Sequence, residues 1–379
     1  METLSIPPLA PPIWVDTPQK LETMINNLQR VEVLAVDTES NSLYAYRERV
    51  CLLQFSTAET DYLVDPLVLP DLSALAGIFS DPGVEKVFHA AEYDIICLKR
   101  DYGFTFTNIF DTMLAGRILG KNHLGLGSML EEYFGVRLNK RFQRANWGKR
   151  PLPEELLAYA RLDTHYLIPL RRHLAVQLEL RGLFSLARED FARLCAVEAS
   201  PPANSDDLWC RVAGNQELTA RQRTILKELC DYREQMAKAA DLPPFKVIGN
   251  KELLAIALAC PQSVEHLEKL RLLSQRQTTR YGEGIIGSIR RGKQARLIRR
   301  PCYKPRSENS IARLEALRDW RKRRGRMQGV ESDIILPRDI LEEIAHANPQ
   351  KLDDLRLIMQ PVPWRFEQYG EEILQALHG

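Results

Sequence analysis

No apolar run in this 379-residue chain approaches the ~18 residues that would suggest a membrane span. The opening segment, Met1 to Pro12, lacks the basic stretch and apolar core of a secretory signal, and is expected to be an untethered N-terminal segment. Cysteine is sparse and scattered: Cys51, Cys97, Cys195, Cys210, Cys230, Cys260 and Cys302 include no CxxC pair. An odd, dispersed set argues against a disulfide framework or a zinc knuckle, and favours a reducing, cytoplasmic setting. Net charge is nearly missing too, at +2. Its distribution is uneven, however. From Arg271 to Arg306 there are 11 lysines or arginines against one acid, Glu283. A solvated helix face accounts for many charge runs, but so lopsided a ratio exceeds what solubility needs and points to nucleic acid.

What is present is the composition of a soluble globular protein, 45% hydrophobic and 27% charged, in a length that suits two or three domains. Residues 1–200 read as an α/β domain. Val31 to Val36 is apolar enough to be a strand inside a sheet. Val50 to Phe55 and Asp61 to Val64 flank a polar turn and predict hairpin-connected strands. Lys86 to His89 is a further short strand, and helical spacing follows over Ala91 to Arg100, Asp111 to Leu119, Leu126 to Phe134 and Pro153 to His173. Strands first and helices after, with an early antiparallel meander, predict a mixed sheet covered by helices.

Val197 to Asp206 is rich in proline, serine and alanine, has no periodicity, and reads as a linker. Beyond it lies a repeat. Asp231, Tyr232 and Arg233 match Asp319, Trp320 and Arg321; Pro261 and Gln262 match Pro349 and Gln350; Tyr281, Gly282 and Glu283 match Tyr369, Gly370 and Glu371, all at an offset of 88 residues. The apolar positions Leu226, Leu229, Leu253 and Ile256 fall on Leu314, Leu317, Leu341 and Ile344 at the same offset. Two copies of a helical module, over residues 208–292 and 307–379, are the economical reading.

Three acidic segments carry the chemistry. In Val36, Asp37, Thr38 and Glu39 an apolar strand ends in two carboxylates at i and i+2, which in an extended chain point to one side. Alone, such a pair can be a turn or a helix cap. In Tyr159 to Asp163 a phenol and a carboxylate stand at i and i+4, on one helix face; a packed tyrosine with a solvated aspartate has the same spacing. Asp94 enters a helix just after a strand, where favourable interaction with the helix dipole is the simpler role. Order and spacing together say more than any one segment.

Asp111 reads as a cap or a support for the site. His89 is a strand residue near the site that can pack there or touch substrate, and His165 lies off the face of Asp163 and reads as structural. Gly116 to Lys121 has one residue too few for a phosphate loop, and Asn122 stands where serine or threonine is needed. Lys140, Arg141, Arg144, Lys149 and Arg150 interleave with Phe142 and Trp147. Cations for phosphates and rings for base stacking suit a single nucleic-acid strand, while a basic surface loop around a packed tryptophan fits equally. A second basic cluster, Arg321 to Arg324 with Arg326, lies on a helix of the second repeat.

Asp37 and Glu39, then Asp94, then Tyr159 with Asp163 resemble the three motifs of the DEDD superfamily of 3′-5′ exonucleases, in the subclass with tyrosine in its last motif. Phe88, His89, Ala90 and Ala91, and Trp147 to Leu152, resemble the ribonuclease D family more closely, and the two repeats look like its HRDC domains. Two positions depart from that family: Asn146 stands where aspartate is usual, and Arg161 where a second small residue is usual. The resemblance covers the whole chain. It implies an RNase H-like (DnaQ-like) α/β exonuclease domain with a mixed sheet, followed by two all-α HRDC domains. It implies two divalent ions, Mg²⁺ or Mn²⁺, held by Asp37, Glu39, Asp94 and Asp163, since four crowded carboxylates repel one another without cations and oxygen donors suit these metals. By family analogy Asp37 bridges the ions, Glu39 and Asp163 serve the nucleophile side, Asp94 the leaving-group side, and Tyr159 orients the attacking water. His89, Lys140, Arg141, Arg144, Trp147 and Arg150 are the expected substrate contacts. The expected partner is RNA with a single-stranded 3′ end, tRNA precursors among them, handled by a monomer. A 3′-5′ DNA exonuclease and a catalytically inactive nucleic-acid-binding adapter are the alternatives.

Overall fold

A computed structural model of the protein describes residues 9–69, 71–198, 208–298 and 307–378, without the side chain of Lys140. The described residues fall into two compact units, one within Met1–Ser40, Val50–Ala199 and Pro305–Gly379, the other within Asn41–Arg49 and Ser200–Lys304.

The first unit begins with β1 (Ile13–Val15) and α1 (Pro18–Leu28), whose start is fixed by the Thr17 hydroxyl accepting from the Lys20 N–H. There follow β2 (Val33–Ser40), β3 (Val50–Ser56), β4 (Asp61–Val64), α2 (Ala76–Ser80), β5 (Glu85–Phe88), α3 (Glu92–Tyr102), β6 (Ile109–Asp111), α4 (Thr112–Ile118), α5 (Leu126–Phe134), α6 (Glu154–His165), α7 (Leu167–Leu180) and α8 (Phe184–Cys195). The strands form one mixed sheet in the order β1-β4-β3-β2-β5-β6. β2, β3 and β4 are the antiparallel meander, while β1, β5 and β6 join by parallel pairing. β2 is central and reads as continuous apolar chain, Val33 to Val36, because both its faces are covered. One core layer gathers Val36, Phe55, Phe79, Phe88 and Leu98; another gathers Ala35, Val87, Phe110, Leu170 and Leu174.

Two expectations change here. The single helix foreseen from Pro153 to His173 is two, broken at Tyr166. Pro169 has no N–H to give the carbonyl four residues upstream, at His165, so the ladder stops there. β1 and β6, three residues each, were not foreseen; they exist through parallel partners remote in sequence.

The second unit holds the first helical repeat: α9 (Leu208–Ala213), α10 (Ala220–Ala240), α11 (Pro244–Val247), α12 (Asn250–Ala259), α13 (Val264–Lys269) and α14 (Gln275–Gln294) around its own core of Leu226, Leu229, Leu253, Ile256 and Ile285. It also contains residues 41–49, the connection between β2 and β3. The Tyr46 N–H donates to Asp241 at 3.1 Å, its hydroxyl to Glu234 at 3.2 Å, and the Lys246 ammonium lies 4.2 Å from the centre of the Tyr44 ring.

The second repeat, in the first unit, is α15 (Glu308–Gln328), α16 (Ser332–Ile335), α17 (Arg338–Ala347), α18 (Leu352–Ile358) and α19 (Pro363–His378). Each of its first four helices starts 88 residues after its counterpart in the first repeat, and α19 starts where the offset places the start of α14. The left-handed caps obey the same register, Asp241 with Gly329 and Cys260 with Asn348. The copies differ in what they touch. Gln277 of the first takes part in the capping box of its own helix, α14. Its counterpart Arg365 is fully buried against α8, paired with Glu189 and Asp190 and donating to the Ile334 carbonyl at 2.9 Å. Ile334, counterpart of Lys246, packs into the core layer of Phe110 and Leu170. Gly120 (φ +70°) allows the turn after α4 to approach so closely that a Cβ there would lie 2.5 Å from the Gly329 carbonyl oxygen.

Among the described residues, no helix is long and apolar enough to cross a membrane.

Candidate active site

Four carboxylates and a phenol reach the site from three elements. β2 supplies Asp37 and Glu39, two residues apart on one face of the sheet, with a register shift just after Glu39 that ends the regular ladder. α3 supplies Asp94 in its first turn, where the positive end of the helix favours a carboxylate. α6 crosses β2, β3 and β4 and supplies Asp163, with Tyr159 one turn earlier. Its seat is fixed by polar contacts at the C-terminal end: the Thr164 hydroxyl meets that of Ser56 at 2.7 Å, and buried His165 meets the Asp61 carboxylate through Nδ1 at 2.9 Å.

The entrance to α3 is equally constrained. The Asp111 carboxylate accepts from the N–H groups of Ala90, Ala91 and Leu114, at 3.3, 2.7 and 2.9 Å. It therefore caps α4 and also holds the turn from β5 into α3, where Ala90 takes a positive φ of 64°. Thr38, between the two β2 carboxylates, donates its hydroxyl to Asp94 at 2.5 Å. Sequence reading passed over Thr38, because a threonine inside a strand carries no signal of its partner.

The electrostatics follow from crowding. Asp94 and Asp163 are almost fully buried, while Asp37 and Glu39 keep some surface yet lie deep among protein atoms. Burial, followed by repulsion from Asp94, Asp163 and Glu39, holds the Asp37 carboxyl well above the usual range. Burial and then the charges of Asp163 and Asp94 do the same to Glu39. Burial pushes Asp94 up to about 7 against the opposing hydrogen bonds of Thr38, and burial with the charge of Asp94 pushes Asp163 up to about 8. The Tyr159 phenol is raised as well, first by burial and then by Asp163, Glu39 and Asp37, so it stays a neutral hydroxyl. Among the described residues, no three histidine, cysteine or acidic side chains are gathered tightly enough to hold an ion as they stand. The fit to divalent cations is one of donor chemistry: hard carboxylate oxygens close enough to raise one another's pKa, in a setting that a nearby 2+ charge would relieve.

These shifts make stability depend on pH. Folding raises the carboxyl pKa values, so the unfolded chain gives up its protons first as pH rises. In chelator, the cluster's contribution to stability should be greatest near pH 4 and be lost as pH passes through 7 to 8. The expected loss is on the order of 3 kcal/mol, since each tenfold change in proton affinity is worth ~1.4 kcal/mol. Thermal denaturation in chelator across pH 5 to 8 measures this; a melting temperature that climbs steadily over that range would contradict it.

The expected substrate contacts divide. Trp147 is not available for stacking on a base: it is 1% exposed, packed with Leu52, Leu63 and Leu156, with its ring centre 6.4 Å from that of Tyr159. Phe142 also packs on Tyr159, its ring centre 5.6 Å away, so the two rings fix the phenol. Arg150 is committed to the protein: it clasps Asp65 through Nε and Nη2 at 2.6 and 2.7 Å and donates to the carbonyls of Cys51, Trp147 and Lys149. These two assignments are corrected to structural roles, since buried or fully engaged groups have nothing left to offer RNA. His89 is half-buried with Nδ1 2.9 Å from the Thr112 hydroxyl; burial lowers its pKa against the pull of Asp111, which leaves the imidazole neutral. Arg141 and Arg144 lie exposed, the former paired with Glu155. The side chain of Lys140 and residues 299–306 of the basic stretch lie outside the described residues.

A 3′-5′ exonuclease family model matches residues 12–179, and the HRDC domain model matches residues 222–289 and 310–377. The exosome complex exonuclease RRP6 of Saccharomyces cerevisiae is 34% identical over 268 residues, covering 67% of this chain and 37% of that protein. The protein RRP6-like 1 of Arabidopsis thaliana is 35% identical over 294 residues, covering 74% and 46%. The chain thus spans less than half the length of these curated relatives. The catalytic core of RRP6 from Trypanosoma brucei superposes with a TM-score of 0.66 at 27% identity, over 78% of this chain and 86% of that one. Escherichia coli RNase D, described as an exoribonuclease involved in structured RNA processing, superposes with a TM-score of 0.72 at 24% identity, over 97% and 98%, a likeness of fold. The chain therefore joins a DEDD-type 3′-5′ exonuclease domain to two HRDC domains on a ribonuclease D-like fold.

Proposed function

We propose that the chain is a divalent-metal-dependent 3′-5′ exoribonuclease that releases 5′-nucleoside monophosphates from RNA 3′ ends, with precursors of tRNA and other small stable RNAs as its substrates. The observation that carries this reading is the cluster itself. Four carboxylates from β2, α3 and α6 are held where they repel one another, a costly arrangement unless cations occupy it.

Asp37, Glu39, Asp94 and Asp163 would hold the ions, which supply a nucleophile from bound water and charge neutralisation at the phosphate. Tyr159, packed against Phe142 and Trp147, presents a neutral hydroxyl one helical turn from Asp163, suited to orient a water by hydrogen bond. Exposed Arg141 and Arg144 suit the phosphates of an incoming strand. RNA as substrate is supported by the likeness of fold to Escherichia coli RNase D, described as an exoribonuclease.

The test is a side-by-side digestion of RNA and DNA oligonucleotides of one sequence, with Mg²⁺ or Mn²⁺ and with chelator. Stepwise shortening of RNA from its 3′ end to nucleoside 5′-monophosphates, abolished by chelator, is the expected result. Equal cleavage of both strands would favour a DNA exonuclease, activity in chelator would remove the metal, and tight binding without cleavage would leave an adapter.

A further inference from the structure

The sheet face that carries Asp37 and Glu39 continues onto β3. There Gln54 stands directly opposite Asp37 in the antiparallel ladder, with Leu63 of β4 on its other side. Directly opposed side chains share a face, with Cβ atoms about 4.5–5.5 Å apart, so the Gln54 carboxamide and the Asp37 carboxylate are neighbours. α6 closes this face. Its Thr164 hydroxyl bonds to that of Ser56, two residues along β3, and its Tyr159 and Ala160 pack in one cluster with Leu52, two residues the other way. Gln54 is therefore sealed, at 0% exposure. Among the described residues, neither its Nε2 nor its Oε1 has a hydrogen-bond partner.

A buried amide with both ends unanswered is costly, and folded proteins rarely keep one without a use. Leucine would suit the apolar neighbours Leu52 and Leu63 better. Two other buried groups are open in the same region, the Trp147 indole N–H and the Arg161 Nε and Nη2. Arg161, however, has an ion pair with Asp61 at 3.6 Å, and the indole is a single donor. Gln54 is the one set in register with a carboxylate of the acidic cluster. Carboxylates that hold metals are oriented by a hydrogen bond from a neighbouring group, and losing that neighbour weakens binding.

We propose that Gln54 is a positioning residue for Asp37, its amide N–H taking hold of the Asp37 carboxylate when that group binds a divalent cation. This rests on the metal-dependent reading above. The full chain, as Gln54→Leu, Gln54→Met, Asp37→Asn and unaltered protein, is titrated with Mn²⁺ by calorimetry and melted in chelator. Methionine, unbranched like glutamine, separates loss of the amide from a packing effect of leucine. Both Gln54 variants should bind Mn²⁺ roughly 10–100-fold more weakly, melt in chelator no lower than the unaltered protein, and bind RNA as tightly. Unchanged Mn²⁺ affinity overturns the proposal. So does a lowered melting temperature in chelator for both variants, which marks the amide as part of the metal-free scaffold. Should the unaltered protein bind no Mn²⁺, or Asp37→Asn bind it equally well, the metal reading itself has failed and the proposal falls with it.

Discussion

Asp163→Asn is expected to slow RNA hydrolysis by roughly 10³-fold or more, the scale on which loss of a group acting on the transition state registers, while RNA binding stays within about threefold, since affinity for RNA rests mainly on phosphate contacts elsewhere. The same substitution should stabilise the protein in chelator at pH 8. Asp163 is buried near the end of its helix and pressed by Asp94, which pushes its carboxyl up to about 8. An amide of the same shape has no proton to lose and no charge to bury. With metal present the order should reverse, because the unaltered protein gains from cation binding and the variant gains less. Loss of activity with opposite stability shifts in the two conditions marks a functional carboxylate. Near-full activity, or a variant less stable than the unaltered protein in chelator at pH 8, would contradict the assignment.

The second large effect lies far from the chemistry. Arg365→Ala should cost roughly 3–5 kcal/mol, as expected when one member of a buried ion cluster is removed and the rest are left uncompensated. Glu189 accepts from the Trp364 N–H at 2.8 Å and from the Arg365 guanidinium; Asp190 takes the guanidinium at 2.8 Å. Burial already lifts the Glu189 carboxyl above its ordinary value despite Arg365, so the cluster bears a desolvation cost even when intact. Replacing all three together, with Arg365→Met, Glu189→Leu and Asp190→Leu, should therefore recover most of the loss. Urea denaturation of the single and triple variants measures both. A single variant as stable as the unaltered protein would mean that the cluster does not hold the second repeat to α8.

Much of this was legible in the chain. The apolar run into Asp37 and Glu39, the helical spacing of Tyr159 and Asp163, and the unbroken offset of the repeats are local or periodic properties. They are written in adjacent residues, and the helices foreseen appear where they predict, apart from the break at Tyr166. What escaped reading depends on partners distant in sequence. β1 and β6 are too short to show periodicity and exist only as parallel neighbours of β4 and β5. Trp147 and Arg150 sit among cations and rings, and the sequence is silent on which way a ring faces. The structure turns the indole inward onto Tyr159 and the guanidinium onto Asp65. Thr38 and Gln54 are ordinary strand residues whose meaning comes from α3 and from the β2–β3 register. Pro169 was visible, and its effect on the helix four residues upstream could have been read directly.

The constant offset between the two helical repeats has a consequence for anyone who would rearrange them. Gap-free register means that either copy can be spliced into the other's place with its helix starts in step. Interchangeable backbones, however, are not interchangeable parts. A chimera with the first repeat in the second position would present Gln277 to Glu189 and Asp190, and Lys246 to the pocket filled by Ile334. It would keep its own fold and lose its berth. The order of the two modules is thus encoded at a few contact positions on a shared framework, and a swap of Gln277→Arg and Lys246→Ile is where re-addressing one copy to the other's site would begin.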